Sequence, residues 1–190
     1  MGTFNTVELA KKYNIKKIIY TASSTCYGIP DKYPTSETDK LSPQYPYALT
    51  KKIGEDLVIH YGKVYKMTCV SLRLFNVYGT RSRTTGAYGA VMGVFLKQKL
   101  SKKPLTVVGK GNQKRDFINV KDVSEAFIKC LNPKVKNEII NIGSSSPKKI
   151  NYLVSLISKK KIHIPMRPGE PKITHSSILK AKKILKWKPK

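Results

Sequence analysis

Residues 17–22 (KIIYTA) form a short, β-rich apolar run of the kind buried in parallel sheets. Residues 67–77 (MTCVSLRLFNV) read as a second buried strand. Between them lie a loop rich in Gly, Pro, Asp and Ser (28–45) and a long helix from about Tyr47. That helix places Leu49, Ile53, Leu57 and Val58 close to one face and has Gly62 near its end. Alternating strand and helix patterns select an α/β fold with a mostly parallel sheet.

The remainder reads as flanking pieces of the same architecture. Thr3 can cap a helix running through about Tyr13, just before the first strand. Beyond Tyr78 the elements shorten: helix 89–100, strands 105–108 and 115–120, helix 122–131, strand 138–142, then helices 150–157 and 176–185. Short elements with long connections suit a substrate-covering lobe on an α/β core. The expected division is therefore 1–80 for a partial sheet domain and 81–190 for a smaller lobe.

The net charge of +26 would suit a nucleic-acid binder, but only five of the 37 basic residues are arginines and no nucleic-acid-binding motif is present. A solvated, lysine-rich surface is the expectation, with no nucleic-acid partner. Such a surface still concentrates an anionic substrate. No apolar run approaches the roughly 20 residues that span a bilayer, and residues 1–12 read as an amphipathic helix rather than a signal peptide. The expected compartment is the cytoplasm, without a membrane partner. Cys26, Cys69 and Cys130 lie far apart, and the last two sit in apolar segments, so neither a disulfide nor a metal site is expected.

The segment YALTK sets Tyr47 and Lys51 four apart, on one face of the long helix near its start. A cation held beside a phenol stabilises the phenolate and brings it toward the working range of a general base. Alone, the spacing equally fits a surface helix with a snorkelling lysine. Some 24 residues before Tyr47, ASSTCYG places small hydroxyl residues directly after the first strand, and ligands in open α/β sheets sit at strand carboxyl ends. Ser23 there could hydrogen-bond the oxygen whose proton Tyr47 takes. A turn or helix cap is the plain alternative.

TASSTCYG, YPYALTKK, LRLFNVYG, GNQKRDFINVKDV and RPGEP, followed by ILKAKKILKWKPK, occur in an order and spacing that resemble the extended short-chain dehydrogenase/reductase family, nearest its nucleotide-sugar 4-epimerases. The resemblance implies a Rossmann-like fold, NAD as cofactor and a nucleotide sugar, a UDP-sugar above all, as substrate. It gives Ser23 the orienting hydroxyl, Tyr47 the acid/base role, and Lys51 the roles of its partner and of holding the nicotinamide ribose. Phe75 would face the cofactor and Asn76 the sugar nucleotide. The backbone at Ala90 and Val91 would line the nucleotide site, Arg115 would clamp the diphosphate, and Arg167 and Glu170 would form a second anchor. In the related 4,6-dehydratases an Asp-Glu pair follows the strand-end hydroxyl. Here Ser24 and Thr25 stand there, favouring epimerisation over dehydration. Decarboxylases and reductases of the family stay open, as does a non-catalytic remnant that binds nucleotide sugars.

The glycine-rich turn on which the family holds the pyrophosphate is not found in these residues. The chain thus reads as an interior piece of a longer protein, expected to bind NAD weakly and to be inactive alone. The family habit also implies a homodimer through helices 3–13 and 47–62.

Overall fold

The computed structural model describes residues 1–84, 90–166 and 168–190. Helix α1 (Gly2–Lys12) leads into β1 (Lys17–Ser23), a 3₁₀ turn (Ser24–Tyr27), the long helix α2 (Pro46–Val64) and β2 (Thr68–Leu74). Strand β2 pairs in parallel with β1 on one side and with β7 (Ile139–Ile142) on the other.

The period of two along β2 builds a core on each face of this sheet. Val70 and Leu72 join α4 (Val120–Cys130), α6 (Leu179–Leu185) and Trp187 in one cluster. Cys69 joins α1 and α2 in a second, through Val7, Ala10, Val58 and Tyr61. Helices therefore cover both faces, as expected for an α/β fold. The expected division at residue 80 does not follow this packing, because β7, α4 and α6 return to the sheet from beyond it.

The α2 face differs from the sequence expectation. Leu49 and Ile53 are exposed (49% and 55%), while Ala48, Gly54, Glu55, Val58, Tyr61 and Gly62 turn inward. Apolarity alone misplaces the face because close packing requires small residues. A Cβ on Gly54 would lie 2.2 Å from the Tyr20 hydroxyl of β1, and one on Gly62 3.0 Å from the Cys69 Cβ of β2. Thr3 is not the cap of α1 either. The helix starts one residue earlier, and no side chain caps it.

At Phe75 the chain changes partners. Phe75 N donates to Ile142 O of the main sheet (2.9 Å), whereas Asn76 N donates to Asp116 O (3.0 Å), opening β3 (Asn76–Tyr78) beside β6 (Phe117–Asn119). The expected strand 115–120 is split at Asp116: β5 (Lys114–Arg115) pairs with β8 (Lys148–Lys149) and β6 with β3. Asn119 caps α4 by accepting from Lys121 N, so that helix starts before Asp122.

The smaller lobe consists of α3 (Val91–Leu100), β4 (Leu105–Val108), α5 (Ile150–Ile157) and β9 (Lys161–Ile164). Phe95, Leu105, Val107, Ile150, Leu153 and Val154 form its core. Strand β9 was not foreseen, since its mostly exposed residues carry no burial pattern. The helix expected over 176–185 starts at Leu179, and residue 89, where α3 was expected to begin, lies outside the described residues.

Candidate active site

Where β1 ends and the chain switches from β2 to β3, a cleft of about 560 Å³ opens between the sheet and the smaller lobe. Strand carboxyl ends and a change of strand partner are where an α/β sheet leaves room for a ligand. Ser23, Tyr47, Phe75, Asn76, Ala90, Val91, Arg115 and Glu170 all line it. Lys51 stands at its edge: Nζ donates to the backbone oxygen of Thr21 (2.8 Å), which lines the cleft, and lies 5.4 Å from the Tyr20 ring centroid. Burial pulls the Lys51 ammonium below its usual pKa. Arg167 lies outside the described residues.

Ser23 combines a cap with a directed proton. Its Oγ accepts from Thr25 N (3.3 Å) and from Thr25 Oγ1 (2.9 Å) as the chain turns into the 3₁₀ helix. With both lone pairs engaged, its own O–H must find an acceptor elsewhere, and the cleft is the open side. The hydroxyl that forms the turn is thus also one that lines the cleft. Thr25 was weighed in the sequence only as a non-acid. Its bond to Ser23 is a local one, made as the chain turns after β1.

Tyr47 is half-buried in the first turn of α2. Two turns further on, buried Glu55 accepts from Ser71 Oγ (2.7 Å), from Arg73 Nη2 (2.6 Å) and from Arg73 Nε. Arg73 Nη1 continues to the Tyr27 hydroxyl (2.8 Å), which donates to Asn141 Oδ1 (2.8 Å). Burial pushes the Tyr27 phenol up to about 12. This network ties α2 to β2 and β7 below the cleft floor and so fixes the height of Tyr47 and Lys51. Sequence reading missed it, because a glutamate and an arginine 18 residues apart carry no signal until the crossover brings them together.

A second buried knot positions the far wall. Both carboxylate oxygens of Asp116 are filled: Ser144 N (2.7 Å), Ser144 Oγ (2.5 Å) and Ser145 N (3.1 Å) donate to it, as do Ser176 N (2.8 Å) and Ser176 Oγ (2.6 Å). Asp116 N donates to Thr174 Oγ1 (3.0 Å), which donates to Asn76 Oδ1 (2.9 Å). That fixes the Asn76 amide with its NH₂ as the end left for a ligand. The neighbouring Arg115 is buried, bonded through Nη1 to Lys114 O (2.9 Å) and through Nη2 to Glu170 Oε1 (2.6 Å). Its remaining N–H donors suit a bidentate anion. In the lining of the same cleft, α3 starts without a side-chain cap, so its first N–H groups present a partial positive charge there.

The model of the NAD dependent epimerase/dehydratase family matches residues 1–143. The chain belongs to that family. It is 36% identical over its whole length to a putative UDP-glucose 4-epimerase of Methanocaldococcus jannaschii, covering 63% of it. The Thermotoga maritima UDP-glucose 4-epimerase, solved with UDP-glucose, superposes on all of it with a TM-score of 0.93 and 30% identity, 63% of that chain being covered. The Bacillus cereus UDP-glucuronic acid 4-epimerase, solved with UDP-glucuronic acid and NAD, gives a TM-score of 0.90 and 34% identity over 99% of this chain and 61% of the other. The chain thus spans about three-fifths of the length of these relatives. NAD is the cofactor of the family. Among the described residues no group of His, Cys, Asp and Glu could hold a metal ion, and no helix is long and apolar enough to cross a membrane. All three cysteines are buried and free.

Proposed function

We propose that this chain carries the substrate-binding and proton-transfer residues of an NAD-dependent epimerase acting at C4 of a nucleotide sugar, with a UDP-sugar as the substrate class. The observation that carries the proposal is the convergence on one cleft of a serine hydroxyl, a tyrosine one helical turn before a lysine, a buried arginine and a helix amino terminus. Arg115 takes the diphosphate, aided by the first N–H groups of α3, and Glu170 accepts from a nucleotide hydroxyl. Asn76 donates through its fixed NH₂. Ser23 donates to the sugar 4-oxygen, and Tyr47, held toward the phenolate by Lys51, takes and returns the proton of that hydroxyl.

The residues present fit the nicotinamide end of NAD, since the ammonium of Lys51 keeps two donors for ribose hydroxyls beside its bond to Thr21 and the Phe75 ring lines the same wall. When bound, NAD would supply reversible acceptance of the C4 hydride. The relatives named above support C4 as the centre. Ser24 and Thr25 stand where a dehydratase has its acids, which supports epimerisation over elimination.

Exposed Phe4, Leu9, Leu49 and Ile53 on the paired helices α1 and α2 support a second copy docking there. Light scattering tests that contact, and a monomer would sink it. Three free, unpaired thiols are in keeping with a reducing cytoplasm.

Calorimetric titration with UDP-glucose, UDP-glucuronic acid and NAD tests the assignment. Binding of a UDP-sugar that Arg115→Ala weakens at least tenfold is the expected outcome. Equal affinity for inorganic diphosphate, or indifference to Arg115→Ala, would overturn it.

A further inference from the structure

The two acid-free stretches of the chain fold onto each other. No Asp or Glu occurs between Asp56 and Asp116, nor between Glu138 and Glu170. These stretches supply α3, β4, α5 and β9, so the smaller lobe holds no carboxylate side chain. Strands β4 and β9 are parallel with Leu105 opposite Lys161, and Leu105 N donates to Lys160 O (3.0 Å). The turns entering both strands therefore meet at one end of the lobe. One turn is KQKLSKK (97–103), the other LISKKK (156–161), and every lysine in both is exposed. Among the described residues none of these lysines is ion-paired. Leu100 and Leu156 project from the same end, 85% and 66% exposed.

The cleft meets these elements at the ends away from the lysine turns, Val91, Val108, Ile150 and Ile164, and reaches along β4 to Thr106. Among the described residues, none of the lysines of the two turns lines the cleft. The lysine tip is thus independent of the nucleotide-sugar site. Lysines near a helix carboxyl end relieve its dipole, which accounts for Lys97 and Lys99 but not for residues 102–103 or 159–161, nor for the leucines.

We propose that this tip docks the protein on an anionic lipid bilayer, with the lysines over the headgroups and Leu100 and Leu156 entering the interface. Flexible ammonium stems around projecting aliphatic side chains suit a headgroup layer. Nucleic-acid surfaces draw on arginine forks and aromatic stacking, and neither turn contains an arginine or an aromatic residue. Adhesion needs no spanning helix, so the lack of an apolar span does not oppose it. It runs against the expectation of no membrane partner, and vesicle binding decides between them.

Vesicle co-sedimentation tests the proposal, comparing phosphatidylglycerol-containing with pure phosphatidylcholine vesicles. The chain is expected on the anionic vesicles only. Lys102→Ala/Lys103→Ala/Lys160→Ala should lower partitioning roughly a hundredfold with UDP-glucose titration unchanged. Leu100→Ser/Leu156→Ser should leave a residual binding that 0.5 M salt abolishes. Equal binding to neutral vesicles, undiminished binding by the triple-lysine variant, or stripping from vesicles by short duplex RNA would each overturn it, the last in favour of a nucleic-acid partner.

Discussion

Glu55→Ala is the most informative single substitution. The carboxylate is 1% exposed and receives the Ser71 hydroxyl and the Arg73 guanidinium, whose own side chain is 4% exposed. Among the described residues, removing it leaves a buried cation with only Tyr27 and the Glu37 carbonyl as partners, and Ser71 without its acceptor. Breaking a buried pair in this way costs about 3–5 kcal/mol. For a chain of this size that lowers Tm by roughly 6–20 °C. Thermal and urea unfolding followed by circular dichroism would read it. Charge orphaning makes a second demand: Glu55→Leu/Arg73→Met should recover most of the loss, because it removes both charges at similar volume. A single variant within about 1 kcal/mol of the parent, or a double variant as unstable as the sum of the singles, would refute the reasoning.

Gly54→Ala puts a methyl group into the Tyr20 hydroxyl and should lift the amino end of α2 off β1. UDP-sugar affinity is expected to fall more than UDP affinity, since Tyr47 moves while Arg115 stays, and paired titrations would show it. Asp116→Asn turns an amide N–H₂ toward donors that need an acceptor, destabilising the fold by about 2–5 kcal/mol in urea unfolding. The raised pKa of Tyr27 gives a stabilising contribution that is fully present below about pH 10 and is lost as pH rises through the folded value of about 12. Stability should therefore fall between pH 10 and 12, and Tyr27→Phe should flatten that limb of the denaturation-against-pH curve.

The sequence by itself determined the layers and the chemistry on offer. Contiguous apolar runs at 17–22 and 67–77 around one long helix argue for a parallel unit, and small hydroxyls after the first strand, with Tyr47 and Lys51 one turn apart, point to the end where the cleft opens. These are local patterns, carried by periodicity and short spacings. Only the tertiary structure decided what is set by distant pairs: that Glu55 meets Arg73, and that Asp116 gathers residues 144, 145 and 176. It also decided which face of α2 is inside, because the close approach at Gly54 favours small residues over Leu49 and Ile53. Two lysine turns about 60 residues apart became one cationic tip for the same reason. Parallel pairing brings distant segments into register, and no sequence window contains both partners.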